Sequence, residues 1–487
     1  MANDTVKWRQ IKFLVYPVFV VLGVYIILYL YCGEIFTHSP YNSYTKQCIA
    51  WLNGRLDLGQ NYSWLELAIY NGKYYVSFPP FPSYVLLPFA YFLGENTPES
   101  LINLLVALIG VAYSSLTVLE YKWNEWYAVL LPIFLYVGGA VLPLPLSIGV
   151  WFVAQNMSFT LTLMSIYYAK KGRKGLSLFL LCCASGCRPF QVVYMPLIIY
   201  IYTHHSQSTV IRLKTYLLKK MVVFTPTVLL AASYLLLNYL RFGNPLEFGH
   251  NYLPEFTNSE NGQFHPSYML QNLYNLIRLP DFSPETKMSI PQFNGMNIII
   301  CFPILVWWLY VVVTSKSPTV IDLLVLCCVI LHILMLVSHK TMGGYHYGNR
   351  YIADTMPAVF PHPLQKLHRQ CSMPHPPQTA HRDIVFHPAQ RKAASCPVRS
   401  ALSGNLRGEY GRISSHQRAR DRTFPRAASS CGTISPAGDT AAAAPPAACP
   451  SRLRHSPGSR SDTGILGYID NPRFQRNTAP YWATRSS

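Results

Sequence analysis

The chain has 487 residues, 51% of them hydrophobic and 13% charged, with a formal net charge of +19. A water-soluble domain carries about a quarter charged residues, so this composition excludes a soluble globular enzyme and implies a polytopic membrane protein. The positive charge is uneven: residues 361–487 hold 18 Lys and Arg against 6 Asp and Glu, and 16 of those cations are Arg, whereas residues 1–360 hold 22 against 15.

The N-terminus, MANDTVKWRQIK, is charged. The apolar run behind it, 11–32, is longer than a signal-peptide core and has no small-residue cleavage site, so it reads as a retained first transmembrane helix. Further apolar spans are expected at about 100–120, 126–143, 149–169, 175–187, 188–202, 221–240, 295–314 and 319–338. A tenth begins near Tyr351 and stops after Phe360, too short to cross. The run Val76–Leu93 is apolar enough to span but is broken by Pro79, Pro80, Pro82 and Pro88. With the N-terminus inside and Val76–Leu93 lying along the outer interface, inside segments collect Lys122, the Lys170, Lys171, Arg173, Lys174 cluster, Arg212, Lys214, Lys219, Lys220 and Lys316. If Val76–Leu93 spanned, the Lys170 cluster would face outward, against the positive-inside rule.

The expected fold is therefore all-α: a transmembrane helix bundle of about nine complete spans, with a large first extracytoplasmic loop carrying juxtamembrane helices. The expected domain is 1–360, with large outer loops at 33–99 and 241–294 and a short outer segment at 339–350. The expected location is the cell membrane, multi-pass, with a cytoplasmic N-terminus. Long outer loops on a helical scaffold are where a site would sit.

After Pro361 the chain becomes rich in Ala, Pro, Ser and Arg without a sustained period. Such a segment cannot bury a core and is expected to be disordered. Because it begins inside an unfinished transmembrane helix, 361–487 reads as the product of a frameshift or mis-joining. The rival reading is a basic tail for nucleic acid or anionic lipid. The cysteines in apolar runs read as small hydrophobes, no pair has zinc-site spacing, and Cys32 and Cys48 are the one pair placed to bridge outside.

Three places could carry chemistry. Glu66, in the loop stretch Asn61–Pro82, could act as a general base or bind a divalent cation, the one cofactor this loop suggests. From spacing alone the plainer reading is a solvated loop acid, and Glu34 and Asp57 compete with it. Arg188, between two apolar runs broken at Gly186 and Pro189, is a cation at membrane depth and so a functional candidate, with a substrate phosphate its natural partner. The plainer reading is a snorkelling side chain. Lys340, His346 and Arg350 crowd cations just before the last apolar run and could clamp a phosphate, or equally anchor the chain at the interface. Gln155 and Asn156 read first as interhelical amides. No P-loop, serine-hydrolase or zincin motif occurs.

The segments GRLDLGQ, YNGKYYVSFPPFPSYVLLPF, GVWFVAQ, GCRPFQ, LRFGNPLEFG and HYGNRYIADTMPAVF, in this order over residues 10–360, resemble the GT-C superfamily of polytopic membrane glycosyltransferases. The likeness is to the bacterial group similar to the dolichyl-phosphate-mannose mannosyltransferase and lipopolysaccharide-core transferase types. The resemblance implies a polyprenyl-phosphate-linked sugar donor, an inverting transfer and an outward-facing site with a catalytic acid in the first outer loop. Members usually place an Asp or an acidic pair there; here Glu66 stands alone at the nearest position.

The expected function is sugar transfer from the lipid carrier to an extracytoplasmic glycan, lipid or protein. Glu66 would be the base and Glu34 the second choice. Arg188, Arg350, Lys340 and His346 would meet the donor phosphate, and Tyr74, Tyr75 and Phe78 would line the substrate. No nucleic-acid partner is expected. The alternatives are a transporter or flippase of a lipid-linked or anionic solute, and a non-catalytic membrane protein if the chain is truncated; no internal two-fold repeat supports a transporter.

Overall fold

The structure, a computed structural model, describes residues 2–32, 39–120, 125–147, 149–205, 221–283, 287–289, 292–315 and 317–364. Glu34 and all but the first four residues of the 361–487 tail lie outside the described residues. Residues 361–364 are helical and buried against the body, which therefore runs on at least to Leu364.

The described part is mostly helical. Helix α1 (Ala2–Cys32) leads to the first region expected to be outer, made of α2 (Ser43–Leu52), the hairpin β1 (Leu67–Tyr70) and β2 (Lys73–Val76), and α3 (Phe81–Leu93). Then follow α4 (Glu99–Leu119), α5 (Tyr127–Val137), α6 (Pro143–Leu146), α7 (Val150–Lys170), α8 (Lys174–Ser185), α9 (Met195–His205) and α10 (Thr225–Phe242). The second region expected to be outer holds α11 (Pro254–Thr257), α12 (Met269–Ile277) and short strand pairs. The chain returns through α13 (Ile298–Cys301), α14 (Pro303–Val313), α15 (Val320–Val337) and α16 (Met356–Val359).

Among the described residues, four helical stretches are long and apolar enough to cross a membrane: Ile11–Tyr31, Glu99–Leu119, Val222–Phe242 and Val320–Val337. Around Ile11–Tyr31 and Val222–Phe242, large apolar side chains such as Phe19, Leu30, Val228 and Leu236 stay exposed. Apolar faces left open in this way suit lipid rather than water. The described residues thus bear out a membrane helix bundle and leave the expected count of about nine complete spans unconfirmed. Three apolar helices, α5, α8 and α14, are shorter. The expected span 126–143 ends at Val137 before Gly138 and resumes only as α6, and 295–314 is interrupted at Phe302–Pro303. The first run ends at Gly138, and the second is broken where Pro303 lacks the N–H a continuing helix would need.

Local chemistry fixes the ends. The β1–β2 turn uses Asn71 and Gly72, both at positive φ (50° and 70°), the backbone a two-residue hairpin turn requires. Thr319 and Asp322 form a capping box at the start of α15. Gly243, left-handed at φ 70°, ends α10.

Helix α7 is the spine, packed against α4, α8 and α9. Its neighbours are tied to it by polar bonds: Asn156 Nδ2 donates to Asn103 O and Oδ1 (both 2.8 Å), and Ser158 Oγ to Ala184 O (3.2 Å). Such bonds stand in for the hydrophobic drive that lipid cannot provide. A second cluster, including Tyr44, Cys48, Phe78, Leu86, Val150 and Met157, seats the first outer region on the bundle. Within it Cys48 is a free, buried thiol whose Sγ donates to Ser83 O (3.1 Å), which excludes the Cys32–Cys48 bridge here. Gln292–Phe293 pair with Tyr345–His346, and Lys340 N donates to Gln263 O (2.8 Å), so the 339–350 segment is strapped to the second outer region.

Candidate active site

The site forms where four segments meet: the end of the first hairpin, the start of α7, the 310 turn after α8, and the 310 turn Arg350–Thr355. Helix α7 presents Trp151 and Gln155, four residues apart and so on one face. Trp151 Nε1 donates to Glu66 Oε2 (2.8 Å). Gln155 Nε2 donates to Arg350 O and to Asp354 Oδ1, the latter at 3.1 Å.

Glu66 is open to solvent, yet protein mass surrounds it closely enough for desolvation to raise its carboxyl above the usual range. A carboxylate that is both wet and enclosed lines a cleft. Trp151 and the Arg350 charge oppose that rise. Its backbone is held by Ser77 Oγ, which donates to Glu66 O (3.2 Å).

Arg350 is buried, 5% exposed, and its Nε and Nη1 have no hydrogen-bond partner. Its guanidinium lies 4.9 Å from the Phe152 ring and 5.1 Å from the Tyr351 ring. Burial lowers its pKa; the Arg188 charge lowers it further, and Tyr351 and Glu66 act the other way. Arg188 lies 4.5 Å over Tyr351 and donates from Nε to Asp354 Oδ2 (3.1 Å). Arg350 is therefore within electrostatic reach of both Glu66 and Arg188. A buried cation with unpaired donors is costly, and Arg350, with the Asp354-paired Arg188 beside it, makes a candidate anion site.

Asp354 is the residue sequence reasoning missed. It accepts from Arg188 and Gln155 with its carboxylate and from Gln191 Nε2 with its carbonyl (3.2 Å). An acid inside the last apolar run was the signal available. Trp151 was missed because an aromatic at a span end reads as an interfacial anchor.

The other candidates are spread. Phe78 packs edge-on to His250, 5.6 Å between rings, and His250 Nδ1 bonds Ser77 O (3.1 Å). Burial, with Arg188 nearby, lowers the pKa of His250, so it stands neutral beside the cleft. Tyr75 packs against Phe242 at 5.3 Å and belongs to a small core beneath the hairpin, while Tyr74, half-buried, lies on the opposite strand face. His346 is enclosed by its own loop, with Nδ1 at 2.5 Å from Gly348 O and Nε2 at 3.0 Å from Met342 O; burial lowers it to about 4, so the neutral ring donates to one of the two carbonyls. Lys340 Nζ donates to Glu255 O (2.6 Å). Asp57 pairs with Arg55 and caps Gly59 N in a turn.

Among the described residues no three His, Cys, Asp or Glu side chains converge as metal ligands.

No family model and no curated protein matches the chain. Among solved structures, it is similar to ArnT from Cupriavidus metallidurans in the apo state, at 14% identity and a TM-score of 0.43, covering 72% of this chain and 59% of that one. It is likewise similar to ArnT from the same organism bound to undecaprenyl phosphate, at 13% identity and a TM-score of 0.43, covering 72% and 60%. The chain thus spans about three fifths of the length of each. A likeness of this order leaves function to the side chains themselves.

Proposed function

We propose that the protein transfers a sugar from a polyprenyl-phosphate carrier to an acceptor hydroxyl on the outer side of the membrane. The observation that carries this is the unpartnered Nε and Nη1 of buried Arg350, set between the Glu66 carboxylate and the Arg188 guanidinium. Two guanidinium groups, 4.5 and 5.1 Å from the Tyr351 ring, offer planar forks for a phosphate. Glu66 takes the proton of the acceptor hydroxyl. The freed oxygen forms a bond to the anomeric carbon from the face opposite the leaving group, and the anomeric C–O bond to phosphate breaks, inverting that centre. The electron pair leaves on the phosphate, where Arg350 and Arg188 stabilise the growing charge. Asp354 and Gln155 position these cations, and Phe78 with His250 walls the cleft toward the second outer region.

The test is label transfer from a polyprenyl-phosphate sugar in proteoliposomes of the full-length protein. Transfer by wild type and its loss, by at least a hundredfold, in Glu66→Gln is expected. Unaltered transfer in Glu66→Gln removes Glu66 as the base, and donor affinity unaltered in Arg350→Ala removes the clamp.

A further inference from the structure

The candidate active site occupies one end of α7. At the other end lies a cavity of about 490 Å3 walled by Tyr168, Arg173, Lys174, Leu176, Val223 and Phe224. Helix α7 has 21 residues, a length of about 30 Å at 1.5 Å per residue, which matches the hydrocarbon core of a bilayer. The cavity and the candidate site therefore lie at opposite ends of α7, about a bilayer's thickness apart.

The electrostatics of this cavity are one-sided. Lys170, Lys171, Arg173 and Lys174 fall within five residues. Lys171 is taken up by an ion pair with Glu120 (2.5 Å), and Lys174 stands 5.6 Å from the Tyr202 ring. Arg173 is exposed and makes no ion pair among the described residues, and no described acid lines the cavity. Helix α8 begins in this wall without a side-chain cap, so the positive end of its dipole adds to the cations.

The walls are built firmly. A Cβ on Gly175 would overlap Val223, so the first turn of α8 and the 310 turn Met221–Phe224 are in direct contact there. Ser165 and Ser177 exchange hydroxyl-to-carbonyl bonds (both 2.8 Å) that lock α7 to α8, and the Tyr168 hydroxyl bonds that of Tyr113 (2.8 Å). The result is a cationic lip over an apolar wall.

We propose that this cavity binds the phosphate headgroup of an anionic phospholipid in the leaflet opposite the candidate active site. Arg173 and Lys174 meet the phosphate, while Leu176, Val223 and Phe224 take the glycerol and the start of an acyl chain. Basic pockets between membrane helices at headgroup depth recognise lipids in this way. Free phosphate would gain nothing from the apolar wall. The bound lipid ties the α7–α8 pair to the foot of α10. This proposal is independent of what reaction the other end performs.

The test is a titration of the purified full-length protein in detergent with phosphatidylglycerol, reading thermal stability and lipids bound by native mass spectrometry. Phosphatidylglycerol is expected to raise Tm and phosphatidylcholine is not. In an Arg173→Gln/Lys174→Gln variant the lipid needed for the same shift rises by about thirtyfold. Lys73→Gln, on the exposed hairpin at the other end, leaves it unchanged. Equal shifts with phosphatidylcholine, or no change in the double variant, overturn the proposal. A full shift from inorganic phosphate at the same concentration assigns the cavity to a free anion and overturns the lipid reading. Should the double variant not fold, a photo-crosslinking residue in place of Leu176 decides: preferential capture of phosphatidylglycerol supports the proposal, and equal capture of both lipids overturns it.

Discussion

Arg188 and Asp354, 166 residues apart, are joined by a 3.1 Å ion pair that links the turn after α8 to the turn before α16. The Asp354 side chain is 1% exposed and the Arg188 side chain 20%. The carboxylate is thus closed in, while the guanidinium still reaches the cleft with part of its fork. Removing one partner of such a pair leaves the other charge buried, at a cost of about 3 kcal/mol. Asp354→Ala should lower thermal stability by roughly that much and weaken donor binding. Arg188→Met/Asp354→Leu should regain much of the stability and none of the donor affinity. Recovery of both in the double variant would show the pair to be structural only.

Trp151 sets how readily Glu66 ionises. Burial raises the Glu66 carboxyl, and the indole N–H and the Arg350 charge hold it back. Trp151→Phe removes a hydrogen bond that favours the charged form, so the carboxyl rises further. A base must be ionised to act, and the acid limb of the pH–rate profile for kcat/KM should therefore move to higher pH. A limb that stays in place would mean that another group titrates there.

The parts of the fold written in long apolar runs were legible in the sequence. The runs 11–32, 100–120, 221–240 and 319–338 became the four helices of spanning length. The span 126–143 was not, because Gly138 counts little in a hydropathy sum yet ends α5. At the site, a cation at membrane depth was enough to single out Arg188, and the cluster before the last run was enough for Arg350. Their partners were not legible. Asp354 lies in what looked like the start of a tenth span, and Trp151 gains its meaning only when α7 brings it to Glu66. His346 and Lys340 looked like their neighbour Arg350 in sequence, yet each is bonded to backbone carbonyls of the surrounding loops.

Close packing between α4 and α5 depends on Gly110. A Cβ there would overlap the Tyr136 hydroxyl and crowd Thr160. Gly110→Ala should therefore destabilise the bundle by about 1–3 kcal/mol, the usual cost of overpacking. Gly110→Ala/Tyr136→Phe, which deletes the overlapping oxygen, should recover most of the loss in a thermal melt. No recovery would place the strain in the α4 backbone instead.

Glu255, at the start of α11 in the second outer region, gives the protein a pH-dependent stability of its own. Burial first, then the Glu66 charge, pushes its carboxyl from the ordinary 4.5 up to about 7, and Lys340 works against that rise. Between those two values the folded chain keeps a proton that the unfolded chain releases. The folded state is therefore favoured most below about pH 4.5, and this contribution fades as pH rises toward about 7. Glu255→Gln is neutral at every pH and should flatten that part of a Tm–pH curve measured from pH 4.5 to 8. Lys340→Met should stretch the decline to higher pH, because the ammonium that favours the ionised form is gone. Glu66→Gln should shift the decline to lower pH, since one like charge is removed. The last shift is the informative one: it requires the carboxyls of the two outer regions to feel each other across the cleft, and a Tm–pH curve identical in Glu66→Gln and wild type would separate them.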